Sequence, residues 1–367
     1  MRRLEGFDMI VLAMAVILTC FGVVMVYSAS SVMAAKKFHD GFYYLKRQSL
    51  YALVGFSAMA VAMHIDYHVW KKIAVPLFFT CFVLLLLVFI PGIGGTAKGA
   101  SRWIRLPGFN FQPSELAKVS LIVYMAYSLD KRQEKLRQFM SGFAPYLLIL
   151  GVFIAVLLMQ HDMGAAITMG TVAIVMLFAA GTKPRYILGM GLVALPGICY
   201  LVFITPYRMR RITAFLDPWR DPSDAGFQII QSWLALGTGG IFGQGLGEGK
   251  QKLFYLPEAH TDFILAVCGE ELGFIGVVVI AAMFLLLVQR CIRVSIAAED
   301  NFGRFLAFGI SILIGLEAFI NMAVVTGMLP TKGLALPFLS YGGSSLIISL
   351  CAIGVLLNVS TRMRVAP

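Results

Sequence analysis

The residues best suited to chemistry crowd into one stretch, 226–273. A glycine-dense run there leads to Pro257-Glu258-Ala259-His260-Thr261-Asp262, and an apolar segment carrying Glu270 and Glu271 follows at once. Carboxylates at the edge of such a segment, or inside it, are costly to desolvate, which makes them functional candidates. On a helix starting near Asp262, about 100° per residue sets Glu270 roughly a quarter turn from the Asp262 face and Glu271 on the opposite side. Asp262 then stands at the wet end and the two glutamates lie deeper. Desolvation raises the basicity of a half-apolar carboxylate and neighbouring cations offset it, which suits a general base. Arginines and lysines scattered on the same side suit a phosphate or diphosphate. His260 could share proton transfer, but no partner for it is visible. There is no Ser-His-Asp arrangement, no HExxH and no zinc-ligand spacing.

Three further stretches carry polar groups at the edges of apolar runs. Residues 92–113 contain Gly94-Gly95, Lys98, Arg102, Trp103 and Arg105 and lead into Ser114-Glu115-Leu116-Ala117-Lys118. Ser114 is expected to cap the helix that follows, and Glu115 and Lys118, three apart, share its face as an ion pair or as substrate ligands. The turn Gln160-His161-Asp162-Met163-Gly164 places Asp162 as the N-cap of the next helix. Residues 328–343 hold Pro330, Gly333, Pro337, Gly342 and Gly343, which forbid a continuous helix. Irregular backbone at membrane depth survives only when buried in protein or lining a wet cavity, and Lys332 lies inside this segment. Ser344 is expected to cap the last span. Glu317 and Asn321, four apart in an apolar run, read as interhelical glue. Gly239, Gly240, Gly243, Gly245, Gly247 and Gly249 have no strand before them, so a dinucleotide fingerprint is rejected. Their density implies tight turns, close backbone approach and amides turned toward an anion.

The elements that must position these groups are membrane spans. The 367 residues are 59% hydrophobic and 13% charged, too little charge to cover the apolar surface of a water-soluble protein. Ten apolar runs are expected as helices: 8–28, 46–64, 73–91, 114–129, 143–160, 164–181, 187–205, 263–289, 306–327 and 344–360. The first is a membrane helix, not a cleaved signal. The fold class is therefore an all-α polytopic bundle of about ten transmembrane helices. A long extracytoplasmic loop, about 206–262, joins the seventh to the eighth, and the whole of 1–367 forms one membrane domain. Within that loop, residues 228–235 suit a helix lying in the interface. An even number of spans puts both termini on one side, and basic density (Arg2, Arg3, Lys71, Lys72, residues 131–137, Lys183, Arg185, Arg290, Arg293, Arg304, Arg362 and Arg364) makes that side cytoplasmic. The net charge of +11 points to anionic lipid or substrate, and no compact basic domain exists for nucleic acid. Six cysteines occur singly and read as small core residues. No internal repeat stands out, which weakens an inverted-repeat transporter.

The segments FNFQPSELAKVSLI, RITAFLDPWRDP, GFQIIQSWLALGTGG, LPEAHTDFILAVCGEELG and LPFLSYGGSSL, in this order over nearly the whole chain, resemble the SEDS family (shape, elongation, division and sporulation; the RodA/FtsW/SpoVE proteins). Pro330-Thr331-Lys332-Gly333 is more similar to the division branch than to the elongation branch. The resemblance implies a multi-pass protein of the bacterial cytoplasmic (inner) membrane that polymerises lipid II into glycan strands at its outer face. It makes Asp262 the general base. Arg102, Lys118, Arg211 and Lys332 are the candidates for diphosphate contacts, Glu258 and Ser340 complete the substrate-binding set, and Glu115, Asp162, Glu270 and Glu271 support it. A divalent cation (Mg or Mn) could assist the leaving group, although the sequence shows no dedicated metal site. The implied partners are the growing lipid-linked strand, a class B penicillin-binding transpeptidase acting in trans, other division or elongation proteins and membrane lipid. Three readings compete. A lipid II flippase would use the same cavity. A proton-coupled transporter would relay through Asp262, Glu270 and Glu317. A structural recruiter would need no carboxylate at 262.

Overall fold

A computed structural model describes residues 6–97, 100–106, 109–224, 226–252 and 256–363. Lys98, Arg2, Arg3 and Arg364 lie outside the described residues.

The ten apolar runs all fold as helices. In chain order they are α1 (Met9–Phe38), α2 (Tyr43–His64), α3 (His68–Leu87), α4 (Pro113–Arg132), α5 (Ala144–Met159), α6 (Met163–Ala179), α7 (Pro184–Ile204) and, after two shorter helices α8 (Pro206–Leu216) and α9 (Phe227–Gly239), α10 (Ile264–Ala297), α11 (Asn301–Val325) and α12 (Gly343–Ser360). Among the described residues six segments are long and apolar enough to cross a membrane: α1, α3, the segment ending in α5, α10, α11 and α12. The 30 residues of α1 span about 45 Å, more than the roughly 30 Å hydrocarbon layer. Its last third, SASSVMAAKKF, stays helical after strong apolarity ends, which is why hydropathy alone closes the run at 28. Small residues allow close helix approach: Gly354 of α12 lies against the Met59 backbone of α2 and Gly55 of α2 against Leu350.

The two ends of the bundle differ. At one end short turns are tied by side chains. Asp8 caps α1 and pairs with Arg290 at 3.0 Å, its N–H donates to the Ser360 hydroxyl, Tyr67 donates to Asp300 at 2.7 Å, and Arg362 holds Asp66 at 2.6 Å. At the other end the longer connections fold over one another.

Two of those connections correct the sequence reading. Residues 94–111 form a three-stranded antiparallel sheet, β1 (Gly94–Ala97), β2 (Ala100–Leu106) and β3 (Phe109–Phe111), paired Gly94↔Ile104 and Ile104↔Phe111. The class is the all-α membrane bundle the sequence suggested, with one small sheet in a connection. Three short strands, the first reading GGTA, carry too little alternation to announce themselves. The 206–262 connection holds two helices, α8 and α9. Its α9 buries Ile229, Ile230, Ser232 and Ala235, packs on α10, and is pinned to the end of α11 by Ser232 Oγ donating to Val325 O at 2.7 Å. The helix expected over 228–235 forms, and one of its faces is part of the bundle's packing.

Helix α10 is broken at Gly273 (φ 70°, ψ −169°). A break orphans backbone groups on both sides, and inside an apolar bundle those groups must find partners. The glycine run supplies them. Gln244 N and Gly245 N donate to the carbonyls of Glu270 and Glu271 at 2.9 and 3.0 Å, while Phe274 N and Ile275 N donate to Gly240 O and Ile241 O at 2.9 and 3.2 Å. Gly243 and Gly273 meet backbone to backbone, both at positive φ, with no room for a Cβ on either.

Candidate active site

Asp262 sits in a turn ahead of α10, not on the helix as its neighbours' spacing suggested; α10 begins at Ile264 with Phe263 as its N-cap. The turn closes because Glu258 adopts the left-handed region (φ 57°) and its carbonyl accepts from Thr261 N and Phe263 N at 3.1 and 3.2 Å. The Thr261 hydroxyl also donates to the Glu258 carboxylate at 2.8 Å.

Three consecutive carbonyls of this turn are held from outside. His260 O accepts from Tyr341 N at 2.9 Å, Thr261 O from the Ser340 hydroxyl at 2.6 Å, and Asp262 O from Asn321 Nδ2 at 2.8 Å. Asn321 also donates to Leu334 O at 2.7 Å, and Ser340 Oγ accepts from Leu336 N at 2.8 Å. The irregular 328–343 segment is therefore the clamp of the turn, and its prolines and glycines free it to follow that path. A Cβ on Gly333 would stand 3.1 Å from Asp262 Oδ2, so the main chain there runs directly beside the carboxylate. Lys332 is the adjacent residue, and partial burial pushes its ammonium below the ordinary lysine range. Arg211 of α8 donates to Thr331 O at 3.0 Å, bracing the same segment from the other side.

Lys118 forms a second centre. It is 3% exposed and donates to Glu115 at 2.9 Å and to Glu317 of α11. Asp162 caps α6 through Ala165 N at 3.2 Å, as its position suggested, and its other oxygen accepts from the Ser114 hydroxyl at 3.0 Å and Gln112 at 3.3 Å. Ser114 does not cap α4, because Pro113 takes the first helical position and leaves the serine inside the first turn. Ser344 likewise does not cap α12; it donates to Asn110 O at 3.2 Å and accepts from Gln112 N at 3.0 Å, fastening β3 to α12. Arg102 donates to His161 O, and its Nε is buried with no hydrogen-bond partner among the described residues.

The third centre includes residues that sequence reasoning passed over. Lys252 is 7% exposed and donates to Glu271 at 2.7 Å, to Ser28 of α1 at 3.1 Å and to Gly247 O at 2.7 Å. Glu270 accepts from Lys250 N at 2.7 Å and Gln251 N at 3.2 Å. The amides turned toward an anion are those of Lys250 and Gln251, just past the glycine run, and the anion is this chain's own Glu270. The available signal for Lys252 was a pair of lysines, Lys250 and Lys252, shortly before Pro257 with an unmatched glutamate pair downstream. Ser28 and Asn321 gave no sign of which group they would hold.

Among the described residues no three His, Cys, Asp or Glu side chains converge as a metal-ligand set.

A bundle of long apolar helices, with ionisable groups gathered under folded connections at one end, defines a multi-pass α-helical protein of the membrane. The profile of the FtsW/RodA/SpoVE family, described as "Cell cycle protein", matches residues 8–365. The sequence is 86% identical over 364 residues to "Probable peptidoglycan glycosyltransferase FtsW" of Geobacter sp. (strain M18), covering 99% of each chain. The fold is similar to a chain in the structure reported as "Structural coordination of polymerization and crosslinking by a peptidoglycan synthase complex", with a TM-score of 0.80, 28% identity, and 96% and 97% of the two chains covered. It is also similar to the rod shape determining protein RodA of Thermus thermophilus, with a TM-score of 0.72, 26% identity and 96% of each chain covered. The chain belongs to the FtsW/RodA/SpoVE family, and with it to the multi-pass proteins of the inner membrane.

Proposed function

We propose that this protein is a peptidoglycan glycosyltransferase that polymerises lipid II into glycan strands for septal wall synthesis in cell division. The observation that carries the catalytic assignment is the turn at Asp262. Three successive carbonyls are pinned by Tyr341, Ser340 and Asn321, which holds one carboxylate still at the mouth of the folded connections. Rigid placement of a base is what makes proton abstraction efficient.

In this reading Asp262 takes the proton of the acceptor sugar's 4-hydroxyl as that oxygen bonds to the donor's anomeric carbon. The bond to the lipid diphosphate breaks in the same displacement, the diphosphate leaves with the electron pair, and configuration inverts without a second carboxylate nucleophile. Lys332, next to the carboxylate along the chain, and Arg102, with its buried unmatched Nε, are the better-supported diphosphate ligands. Arg211 serves through its grip on Thr331. Lys118 is already shared by two carboxylates and acts by positioning α4 against α11. Glu258 and Ser340 act by holding the turn, and Glu115, Asp162, Glu270 and Glu271 support the frame.

The ten helices are assigned as ten crossings of one domain, both termini cytoplasmic and the folded connections outside. Cross-linking of the product would fall to a class B penicillin-binding transpeptidase in trans. A proton relay is a poorer fit, because Glu317 is committed to Lys118 and Glu270 to two backbone amides.

The test is lipid II polymerisation by the purified protein with and without its transpeptidase. Asp262→Ala and Asp262→Asn should each lose about 10²-fold or more of the rate while remaining folded. Variants that polymerise like the wild type remove Asp262 as the base. A wild type that makes no strand with its partner, yet moves lipid II across liposome membranes, replaces the polymerase reading by a flippase.

A further inference from the structure

The end of the bundle away from Asp262 carries a basic surface that no carboxylate answers. The chain leaves α4 through a 3-10 turn (Gln133–Arg137) and a one-turn π-helix (Phe139–Phe143) before α5 begins. Lys71 pairs with Asp130 at 2.7 Å and Asn301 donates to Gln133 at 3.2 Å, which places this connection among the tied turns. The turn between α6 and α7 comes to meet it. Tyr186 of α7 donates its hydroxyl to Arg137 O at 3.3 Å, and its ring lies 5.4 Å from Phe139 and 5.7 Å from Phe143. Arg185 donates to that hydroxyl at 3.3 Å, and Lys183 stands near the same phenol. Three basic residues thus gather around one tyrosine, Arg137 through its main chain. Among the described residues none of the three pairs with a carboxylate.

Nearby cations at the end of α4 have an ordinary explanation. Lys131 and Arg132 sit in its last turn, where positive charge complements the helix C-terminus. Lys183 and Arg185 stand at the opposite kind of end. Lys183 precedes α7 and Arg185 is its second residue, with no acid in that first turn. Cations there oppose the helix macrodipole, so their placement costs stability until an anion joins them. Apolar groups flank the charges. Phe139 is 45% and Met140 79% exposed, and Leu148 of α5 and Leu188 of α7 are exposed further along the two helices. The main contacts of α7 are with its sequence neighbours α6 and α8, so little besides Tyr186 ties its start to the α4–α5 connection. Basic groups beside exposed apolar side chains, where helices leave the bilayer, suit an anionic headgroup whose acyl chains run along the helices. Positive charge that served only to orient the chain in the membrane would not need a tyrosine drawing two segments together.

We propose that Arg137, Lys183, Arg185 and Tyr186 form a seat for one anionic phospholipid of the leaflet at this end. Its phosphate rests among the cations and its chains lie along α5 and α7, so that the lipid bridges the α4–α5 connection to the start of α7. The seat is independent of the polymerase reading.

The experiment places the full-length protein in nanodiscs of phosphatidylcholine with a rising fraction of phosphatidylglycerol. It reads the melting temperature in the discs and, by native mass spectrometry after transfer to detergent, which lipid stays bound. Wild type should melt higher as phosphatidylglycerol rises, with saturation, and should retain one phosphatidylglycerol in preference to phosphatidylcholine. Arg137→Gln with Arg185→Gln should reduce that preference about thirty-fold, for two cations near the membrane surface. The same pair changed to lysine keeps the charges and should recover most of it. Arg293→Gln with Arg304→Gln removes as much charge from exposed positions at the same end and should leave the preference at the wild-type value. Equal losses in the two glutamine pairs would show a general field of charge and overturn the seat. Wild type that retains both lipids alike overturns it as well. Inorganic phosphate that raises the melting temperature in pure phosphatidylcholine discs as much as phosphatidylglycerol does would make this a site for a free anion and remove the lipid. A first glutamine pair that unfolds in phosphatidylcholine discs would mean that the arginines hold the fold without a lipid, which also overturns the seat.

Discussion

Lys118 and Lys252 are both buried lysines at the same end of the bundle, and they are built differently. Lys252 spends all three ammonium donors, on Glu271, Ser28 and Gly247 O, and meets one carboxylate, so the centre is neutral and saturated. Lys118 meets two carboxylates, Glu115 and Glu317, with two of its three donors, so carboxylates outnumber the ammonium there. The saturated centre closes the glycine run onto the broken helix α10. The unsaturated one sits one helical turn from the active turn's support, because Glu317 and Asn321 are four apart on α11 and Asn321 holds Asp262 O. The difference teaches that burial alone does not assign a role to a lysine here. The count of donors used and charges matched separates a structural clasp from a group tied to the reacting end.

The largest expected effect breaks the neutral centre. Glu271→Gln leaves the Lys252 ammonium buried without a counter-charge, and removing one partner of such a pair costs about 3–5 kcal/mol. The melting temperature of the purified protein should fall accordingly. The double change Lys252→Met with Glu271→Leu removes both charges and should recover most of the loss. A double variant no more stable than Glu271→Gln would mean that shape, not charge, holds the glycine run.

A smaller effect is expected at the other centre. Glu115→Gln converts two carboxylates per ammonium into one and leaves Glu317 to pair with Lys118. The stability change should stay within about 1 kcal/mol, with polymerisation retained. If Glu115→Gln is as damaging as Glu271→Gln, counting charges fails as a way to tell the two lysines apart.

How legible these centres were depended on whether partners were local. Asp162 and Glu115–Lys118 were readable because capping and i,i+3 pairing are set within one turn. The helices were readable because a long apolar run that hides its own backbone groups is the sequence pattern of a helix in an apolar surrounding. Lys252 with Ser28 joins residues 224 apart, and no local pattern encodes that distance. The break at Gly273 was hidden because glycine in an apolar run is common in membrane helices, and only the glycine run's return to it reveals the function of both. The strands at 94–111 were missed because their pairing, not their composition, defines them. The motifs that carried the family resemblance found the Asp262 turn, but not that the 328–343 segment is its clamp. That follows only from three carbonyls and the donors that reach them.

The smallest effect concerns a third lysine, which neither centre resembles. Lys332 is only partly buried, and desolvation alone holds its folded-state pKa below the ordinary value of 10.5. The sign follows from linkage. Between the lowered pKa and 10.5 the unfolded chain binds more protons at this position than the folded one, so stability rises with pH across that window. Below the window the cost of burying the ammonium is present in full. Wild type should therefore gain melting temperature relative to Lys332→Met as pH rises from neutral toward 10.5. Inorganic diphosphate added to the wild type should flatten that rise, because a bound anion favours the ammonium and restores the proton. Curves for wild type and Lys332→Met that run parallel would show that the Lys332 ammonium is not desolvated. A rise that diphosphate leaves untouched would detach Lys332 from the diphosphate site and leave Arg102 as the stronger candidate.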